Sequence, residues 1–378
     1  MDFNHNEDRR MLENTLSRYV REQYDFETRM KIAGADEGYS AEKWAEMAEL
    51  GIIGALFKEE DGGFGGHGFD LMVVFEQIGR GIVVEPFLGT AVLGGGLVAD
   101  LGSDEQKAIL DDVIGGAKTL AFAHGEPTSR YSLSDVTTTA TKSGDGWVLN
   151  GHKSVVSGGD SADTLIVSAR VSGDRLDEDG IALFMVDAGA DGVDRRDYGT
   201  VDGYGAADII LRDVAVEASA LLGGEGDAFA AIEKATARGI LALSAEALGA
   251  MEVVKDMTLD YLRTRNQFGV PIGRFQALQH RMADLLMEVE QARSIVINAA
   301  GALDGDRLER EKAVSAAKNL IGRVGRLVAE EAIQMHGGIG MTWEFSMPHF
   351  AKRIIMLDHM LGDTDHHMAR YIALSSAA

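Results

Sequence analysis

The sequence predicts an α+β multidomain protein whose regions run helical, β and helical in chain order. Three observations predict it. Up to about residue 115, apolar side chains recur at helical spacing, as in "EKWAEMAELGIIGALF"; from about 118 to 215, short Val/Thr runs sit between Gly/Asp turns; from 225 onward, long amphipathic stretches return. With 378 residues, 46% of them apolar, and a mean hydropathy of −0.04, the chain is long enough for two or three packed domains.

In the first region "SDEQKAILDDVIGG" opens on Ser103, followed by Asp104 and Glu105. A hydroxyl N-cap with an acidic first turn satisfies the orphan N–H groups of a helix start and complements its dipole. The Gly-rich "EEDGGFGGHGFD" breaks the helical pattern. In the second region "TTTATKSGDGWVLNGHKSVVSGG" predicts a hairpin turning over "SGDG" and then another strand. In the third, Phe275, Leu278, Met282, Leu285, Val289, Ala292 and Val296 fall at alternating steps of three and four, one face of a single helix. No internal repeat or low-complexity linker separates the regions.

Charge and composition exclude several functions. A net charge of −24 without any block of five or more lysines or arginines repels nucleic acid and anionic membranes, and no apolar run reaches membrane-spanning length. With no cysteine there is no disulfide, thiolate metal site or thiol catalysis. The charged start "MDFNHNEDRRMLE" lacks the apolar segment of a signal peptide, so a cytoplasmic location is expected. Near the other end, "HMLGDTDHHM" (359–368) gathers Asp363, Asp365, His366 and His367. Adjacent histidines rarely share one ion and no i,i+4 pair of ligands stands out, so no metal is expected there.

Four separated stretches carry a specific resemblance. "EEDGGFGG" (59–66), "GWVLNGHKSVVSGG" (146–159), "RTRNQFGVPIGRFQALQHRMADL" (263–285) and "QMHGGIGMTWEF" (334–345) follow the order and approximate spacing of the acyl-CoA dehydrogenase family. The resemblance covers nearly the whole chain. It implies an N-terminal helical domain (1–116), a middle β-barrel-like domain (117–222) and a C-terminal four-helix bundle (223–378). It also implies FAD held between the β domain and the C-terminal helices of two protomers, with an acyl-CoA thioester as substrate. The protein would then be a dimer or tetramer, either a homo-oligomer or a two-plus-two complex with a paralogous subunit.

Carried over residue by residue, the family's pattern places Arg265 and Phe268 of "RNQFG" on the FAD of the neighbouring protomer. A guanidinium fork suits a pyrophosphate and an aromatic ring suits adenine, although a helix-ending cation followed by a core phenylalanine reads the same way. Gln276 is a further carry-over, and Gln334, Gly337 and Gly338 fall by the ADP portion, where glycines let backbone approach a ligand. In "LAFAHGEPTSRYSLSDV" (120–136), the flavin-contacting positions are Phe122, His124, Gly125 and Ser134, with a longer turn than usual and Gly125 in place of a threonine. In "KSVVSGG", Val155 replaces the tryptophan that covers the flavin, and Ser157 keeps a hydroxyl at the position beside flavin N5.

Counting forward without gaps from "GGIG" (337–340) puts the family's glutamate base at Leu361, with Gly362 and Asp363 after it. The alternative base position, counted back from Arg265, is Gly239; Glu233 and Glu246 flank it at a distance. Removing the α-proton of a thioester needs a positioned base worth about 10²–10⁴-fold. The sequence therefore reads as an FAD-dependent acyl-CoA dehydrogenase subunit without its own glutamate. "LGDTDHH" resembles a bacterial subset of the family acting on steroid side-chain or dicarboxylyl-CoA thioesters, some of them mixed tetramers in which only one subunit carries the base. Two alternatives stay open: a self-sufficient enzyme using Asp363, and a scaffold or binding paralogue without flavin.

Overall fold

The computed structural model describes residues 6–376, so the first five residues of the charged N-terminal stretch lie outside the described residues. The order helical, β, helical holds. Helices α1 (Glu7–Gln23), α2 (Phe26–Ala33), α3 (Ala41–Glu49), α4 (Gly68–Gly81), α5 (Gly95–Leu101), α6 (Asp104–Lys107) and α7 (Ile109–Ile114) precede the sheet. Ser103 caps α6 as expected: its Oγ accepts from Gln106 N at 3.3 Å, and Gln106 Oε1 accepts from Ser103 N at 3.0 Å, satisfying two orphan donors reciprocally.

The strands are β1 (Leu120–Ala123), β2 (Thr139–Ser143), β3 (Gly146–Ser157), β4 (Thr164–Arg170), β5 (Ile181–Asp187), β6 (Val193–Gly199), β7 (Gly205–Val216) and β8 (Leu221–Leu222). They form one sheet in the order β6-β7-β3-β2-β4-β5-β8, with β1 pairing β4 in parallel; β6 and β8 end the ladder, so it is open rather than a closed barrel. The hairpin predicted over "SGDG" is β2–β3, closing at Ser143↔Gly146 with Gly144 at φ 58°. The strand expected to follow it is continuous with β3, which runs twelve residues and carries two register shifts against β7. Trp147 packs edge-on against Phe184 at 5.5 Å amid Leu149, Leu165, Val167, Ile209 and Val214, all buried. Each such side chain removed from water contributes roughly 1.5–3 kcal/mol.

After the sheet come α8 (Phe229–Thr264), α9 (Gln276–Ala302), α10 (Arg307–His336), α11 (Met347–His359) and α12 (Thr364–Ser376), a fifth C-terminal helix beyond the four expected. The stripe read on α9 buries Met282, Leu285, Val289, Ala292 and Val296. Phe275 is the N-cap residue rather than part of the helix, and 38% of it is exposed.

The chain divides into two compact units. One comprises Met1–Met30, His67–Val83 and Ile240–Ala378; the other Lys31–Gly66 and Val84–Gly239. In the first, glycine permits a close crossing of α4 and α8. A Cβ on Gly79 would lie 1.9 Å from Glu246 O, and one on Gly249 would lie 1.9 Å from Glu76 O. Only hydrogen fits at either position.

Candidate functional site

Within the sheet unit, the 122–137 segment is built around an ammonium group. Lys153 is completely buried, and its Nζ donates to His124 O at 3.1 Å, Glu126 Oε1 at 2.8 Å and Ser168 Oγ at 3.0 Å. Glu126 in turn accepts from Thr138 N at 2.9 Å, Thr137 N at 2.8 Å and the Thr137 hydroxyl. Burial by itself would push the Glu126 carboxyl up; Lys153 and these donors outweigh it and hold it at about 2. Burial likewise pushes the Lys153 ammonium down to about 8, a fall that Glu126 limits. His124 stacks on Phe122 with ring centroids 5.1 Å apart, and Ser154 N donates to Gly125 O at 2.8 Å. Phe122, His124, Gly125 and the β3 bulge are thus brought into one locked segment.

The longer turn is pinned at its far end by Arg170. This buried guanidinium donates to the backbone carbonyls of Ser134 (2.9 Å), Val136 (3.2 Å), Ser172 (3.3 Å), Arg175 (3.0 Å), Asp177 (2.9 Å) and Asp179 (3.0 Å). Ser134 therefore sits on backbone fixed from outside the turn. At the second register shift, Val155 adopts φ 52° with 64% of its surface exposed, and its N–H donates to Asp208 Oδ1 at 3.0 Å. A β-branched residue in the left-handed region is strained by about 1–2 kcal/mol, and here the Asp208 contact holds it there. Ser157 ends the same strand opposite Ala206.

In the helical unit, α8 ends in a small hairpin, β9 (Asn266–Gln267) against β10 (Val270–Pro271), closed below by Ile272 N donating to Arg265 O at 2.8 Å. Phe268 at its tip has φ 54° and is 90% exposed, touching Phe275 edge-on at 6.1 Å. Arg265 is exposed and pairs with no carboxylate among the described residues, in a chain carrying 60 acidic side chains. Gln276 is exposed at the first turn of α9, and Gln334 is exposed on the last turn of α10. The ends of α8 and α10 are joined by Tyr261 stacking on His336 at 4.5 Å, which brings the "RNQFG" and "QMHGG" motifs to one place. Just beyond, Gly337 (φ 67°) and Gly338 have nothing within 4 Å of where a Cβ would stand. Open space over two glycines beside an unpaired guanidinium fits a large anionic cofactor.

The "HMLGDTDHHM" stretch forms a turn and a helix start. Leu361 has φ 55° and Gly362 φ 110°; a Cβ on Gly362 would lie 2.4 Å from His367 Nε2. His367 Nε2 donates to Leu361 O at 3.0 Å, while buried Lys318 donates to Asp358 O at 2.8 Å and Gly362 O at 2.7 Å. Burial, then the Lys318 charge, pushes His367 down to about 3, so the imidazole is neutral; burial pushes Lys318 down to about 8. Asp363 Oδ1 accepts from His366 N at 2.8 Å, the N-cap interaction of α12. The Leu361 N–H meets no acceptor among the described residues. None of the described His, Asp and Glu side chains forms a group of three or more able to hold a metal ion. Glu246 is committed elsewhere, to a buried bidentate pair with Arg353 at 2.6 and 2.9 Å.

Lys153, Glu126, Ser168, Lys318 and Arg170 were missed in reading the sequence. Glu126, Ser168 and Lys318 are identified by partners eleven or more residues away, and Arg170 by a ring of backbone carbonyls, four of them on the 172–179 loop that follows it.

The N-terminal, middle and C-terminal domain descriptions of acyl-CoA dehydrogenase match residues 6–116, 121–214 and 224–373. The chain belongs to the acyl-CoA dehydrogenase family. Among similar proteins, the 3-(aryl)acrylate reductase of Clostridium sporogenes is 33% identical over 315 residues, spanning 80% of this chain and 81% of that one. Among solved structures, the Tcur3481-Tcur3483 steroid ACAD superimposes with a TM-score of 0.88 at 28% identity over 98% of both chains. The ChsE4-ChsE5 complex from Mycobacterium tuberculosis superimposes at 0.90 with 25% identity over 100% of both. As an acyl-CoA dehydrogenase the protein is an FAD-dependent oxidoreductase. No helix among the described residues is long and apolar enough to cross a membrane.

Proposed function

We propose that this chain is the subunit of a mixed acyl-CoA dehydrogenase complex that contributes to the FAD site and polarises the thioester but carries no base of its own. One observation carries the reading: Leu361, which motif spacing assigns to the base position, sits in a left-handed turn with its N–H unpaired among the described residues. A free N–H at that point can donate to a thioester carbonyl. Leu361 has no group able to take the α-proton. Asp363, two residues on, spends an oxygen capping α12, which ties its carboxylate to the helix start.

Bound FAD supplies the hydride acceptor of the α,β-dehydrogenation. Phe122, His124, Gly125, Ser134, Val155 and Ser157 are assigned to the flavin end on the strength of the locked segment and bulge described above. Arg265, Phe268, Gln276, Gln334, Gly337 and Gly338 are assigned to the ADP portion. The exposed, strained Phe268 and the unpaired Arg265 support that assignment, because neither arrangement stabilises the chain by itself. Likeness to the ChsE4-ChsE5 and Tcur3481-Tcur3483 structures supports a partner of the same family, with an acyl-CoA as substrate.

The test compares the purified chain, the Leu361→Glu and Asp363→Asn variants, and the chain co-expressed with a paralogue that retains its glutamate. The expected result is FAD in the wild type, little or no flavin reduction by acyl-CoA thioesters alone, and measurable reduction after Leu361→Glu. Arg265→Ala should weaken FAD retention. Robust turnover by the isolated wild type, lost by about 10²-fold on Asp363→Asn, would instead establish Asp363 as a self-sufficient base.

A further inference from the structure

One face of α10 is a polar stripe. Ser315, Lys318, Asn319 and Gly322 fall at i, i+3, i+4 and i+7, and all four meet the segment 358–367. Gly322 lets the helix come close: a Cβ there would lie 2.0 Å from Asp358 Oδ1 and 2.2 Å from Thr364 Oγ1. Asn319 Nδ2 donates to Thr364 O at 2.9 Å, and the Ser315 hydroxyl lies 3.5 Å from His367 Nδ1. Lys318, only 1% exposed, donates to Asp358 O at 2.8 Å and to Gly362 O at 2.7 Å. An ammonium only donates and a carbonyl only accepts, so the direction of both bonds is fixed.

These bonds divide the work of holding the turn. Asp358 lies in the last turn of α11, where carbonyls have no partner within the helix. Its Oδ1 accepts from Thr364 N at 3.1 Å and from the Thr364 hydroxyl at 2.9 Å, which ties the two ends together. His367 Nε2 donates to Leu361 O and His367 N to Asp363 O, both at 3.0 Å. Lys318 is the side chain that bonds on both sides of Leu361, before it at 358 and after it at 362. The carbonyls of 358, 361, 362, 363 and 364 thus all have donors, while the Leu361 N–H has no acceptor among the described residues. Leucine at φ 55° is disfavoured by its own Cβ, and persists because the backbone around it is fixed from outside.

We infer that Lys318 is a positioning residue: by holding the carbonyls on either side of Leu361, it fixes the left-handed turn from which the Leu361 N–H donates to the thioester carbonyl. The inference rests on the reading of Leu361 proposed above, but the clamp exists without substrate and is measurable without it.

Two variants probe the clamp. Methionine fills the space of the lysine stem without a donor; glutamine carries two N–H donors on a stem one bond shorter, and the test runs on glutamine alone if the methionine variant does not fold. The probe is crotonyl-CoA labelled with carbon-13 at the thioester carbonyl, which cannot reduce the flavin because its α,β bond is already double. The FAD-loaded full chain is used, with its partner subunit where the chain alone does not hold FAD; the variants are confined to this chain, so a partner's signal cancels in the difference. On binding to wild type, the infrared stretch of the labelled carbonyl should fall below its free value, the signature of an accepted hydrogen bond. Lys318→Met should abolish most of that fall and weaken probe binding about tenfold, the scale of one hydrogen bond, with FAD retention within a few-fold of wild type. Lys318→Gln should recover part of both. In the probe-free protein, Lys318→Met should speed hydrogen exchange of the 358–363 amides about tenfold or more. Unchanged exchange, a carbonyl shift equal to that of wild type, or loss of FAD and probe together would overturn the inference. A wild type that leaves the carbonyl unshifted, while Lys318→Met still speeds exchange, would overturn the Leu361 reading instead.

Discussion

Replacing Arg353 by methionine strands the Glu246 carboxylate in the core of the helical unit. Glu246 is 1% exposed and Arg353 3%, and two hydrogen bonds of 2.6 and 2.9 Å join them. Removing one partner of such a pair leaves an uncompensated buried charge, at a cost of about 3–5 kcal/mol. Replacing both by methionine removes the desolvation cost together with the attraction, and buried pairs exchanged for apolar side chains of similar volume are often neutral or better. The expected order of stability therefore places Glu246→Met/Arg353→Met above Arg353→Met. For a unit of this size each kcal/mol moves the thermal midpoint by about 2–4 °C, so the single substitution should lower it by roughly 6–20 °C. The assay is the midpoint of thermal unfolding by far-UV circular dichroism, all variants in one buffer with saturating FAD, read as a ranking so that no two-state assumption is needed. A single variant melting with wild type, or a double variant no better than the single, would refute the reasoning and return Glu246 to the carboxylates available for chemistry.

Three further outcomes follow from the geometry. Gly362→Ala forces a Cβ to within 2.4 Å of His367 Nε2 at φ 110°; left-handed strain plus the broken His367–Leu361 bond should destabilise the turn by about 2–5 kcal/mol, measured by hydrogen exchange of the α12 amides. Gly249→Ala puts a methyl 1.9 Å from Glu76 O on a neighbouring helix, so soluble yield and melting temperature should fall sharply; a wild-type melt would contradict the close crossing. His367 has a folded pKa of about 3 against an ordinary 6.5, so the unfolded chain binds the extra proton between those values. Its contribution to stability is complete above about pH 6.5 and is lost as pH falls toward 3; His367→Gln should flatten the stability profile across that window, and an unchanged slope would exclude the neutral buried imidazole.

The order of helical and β regions, the Ser103 cap, the β2–β3 hairpin and the α9 stripe were legible because each depends on residues within a few positions of one another. The expectation that the family's glutamate position falls on Leu361 came from motif spacing along the chain, which is itself a sequence property. What the sequence left open was the fate of its charged and imidazole side chains. Lys153, Lys318 and Arg353 read as ordinary polar residues, and Glu246 and His367 only as candidates for chemistry, yet all five are buried. Their partners lie 27 residues away for Lys153 and Glu126, and 107 for Arg353 and Glu246. A buried charge is tolerated only where folding brings acceptors to it, and that distance has no local signature. The same holds for the backbone: Val155, Phe268 and Leu361 take left-handed angles that their side chains disfavour. At Val155 and Leu361 the turn is held by Asp208, Lys318 and His367, which only the tertiary structure places there.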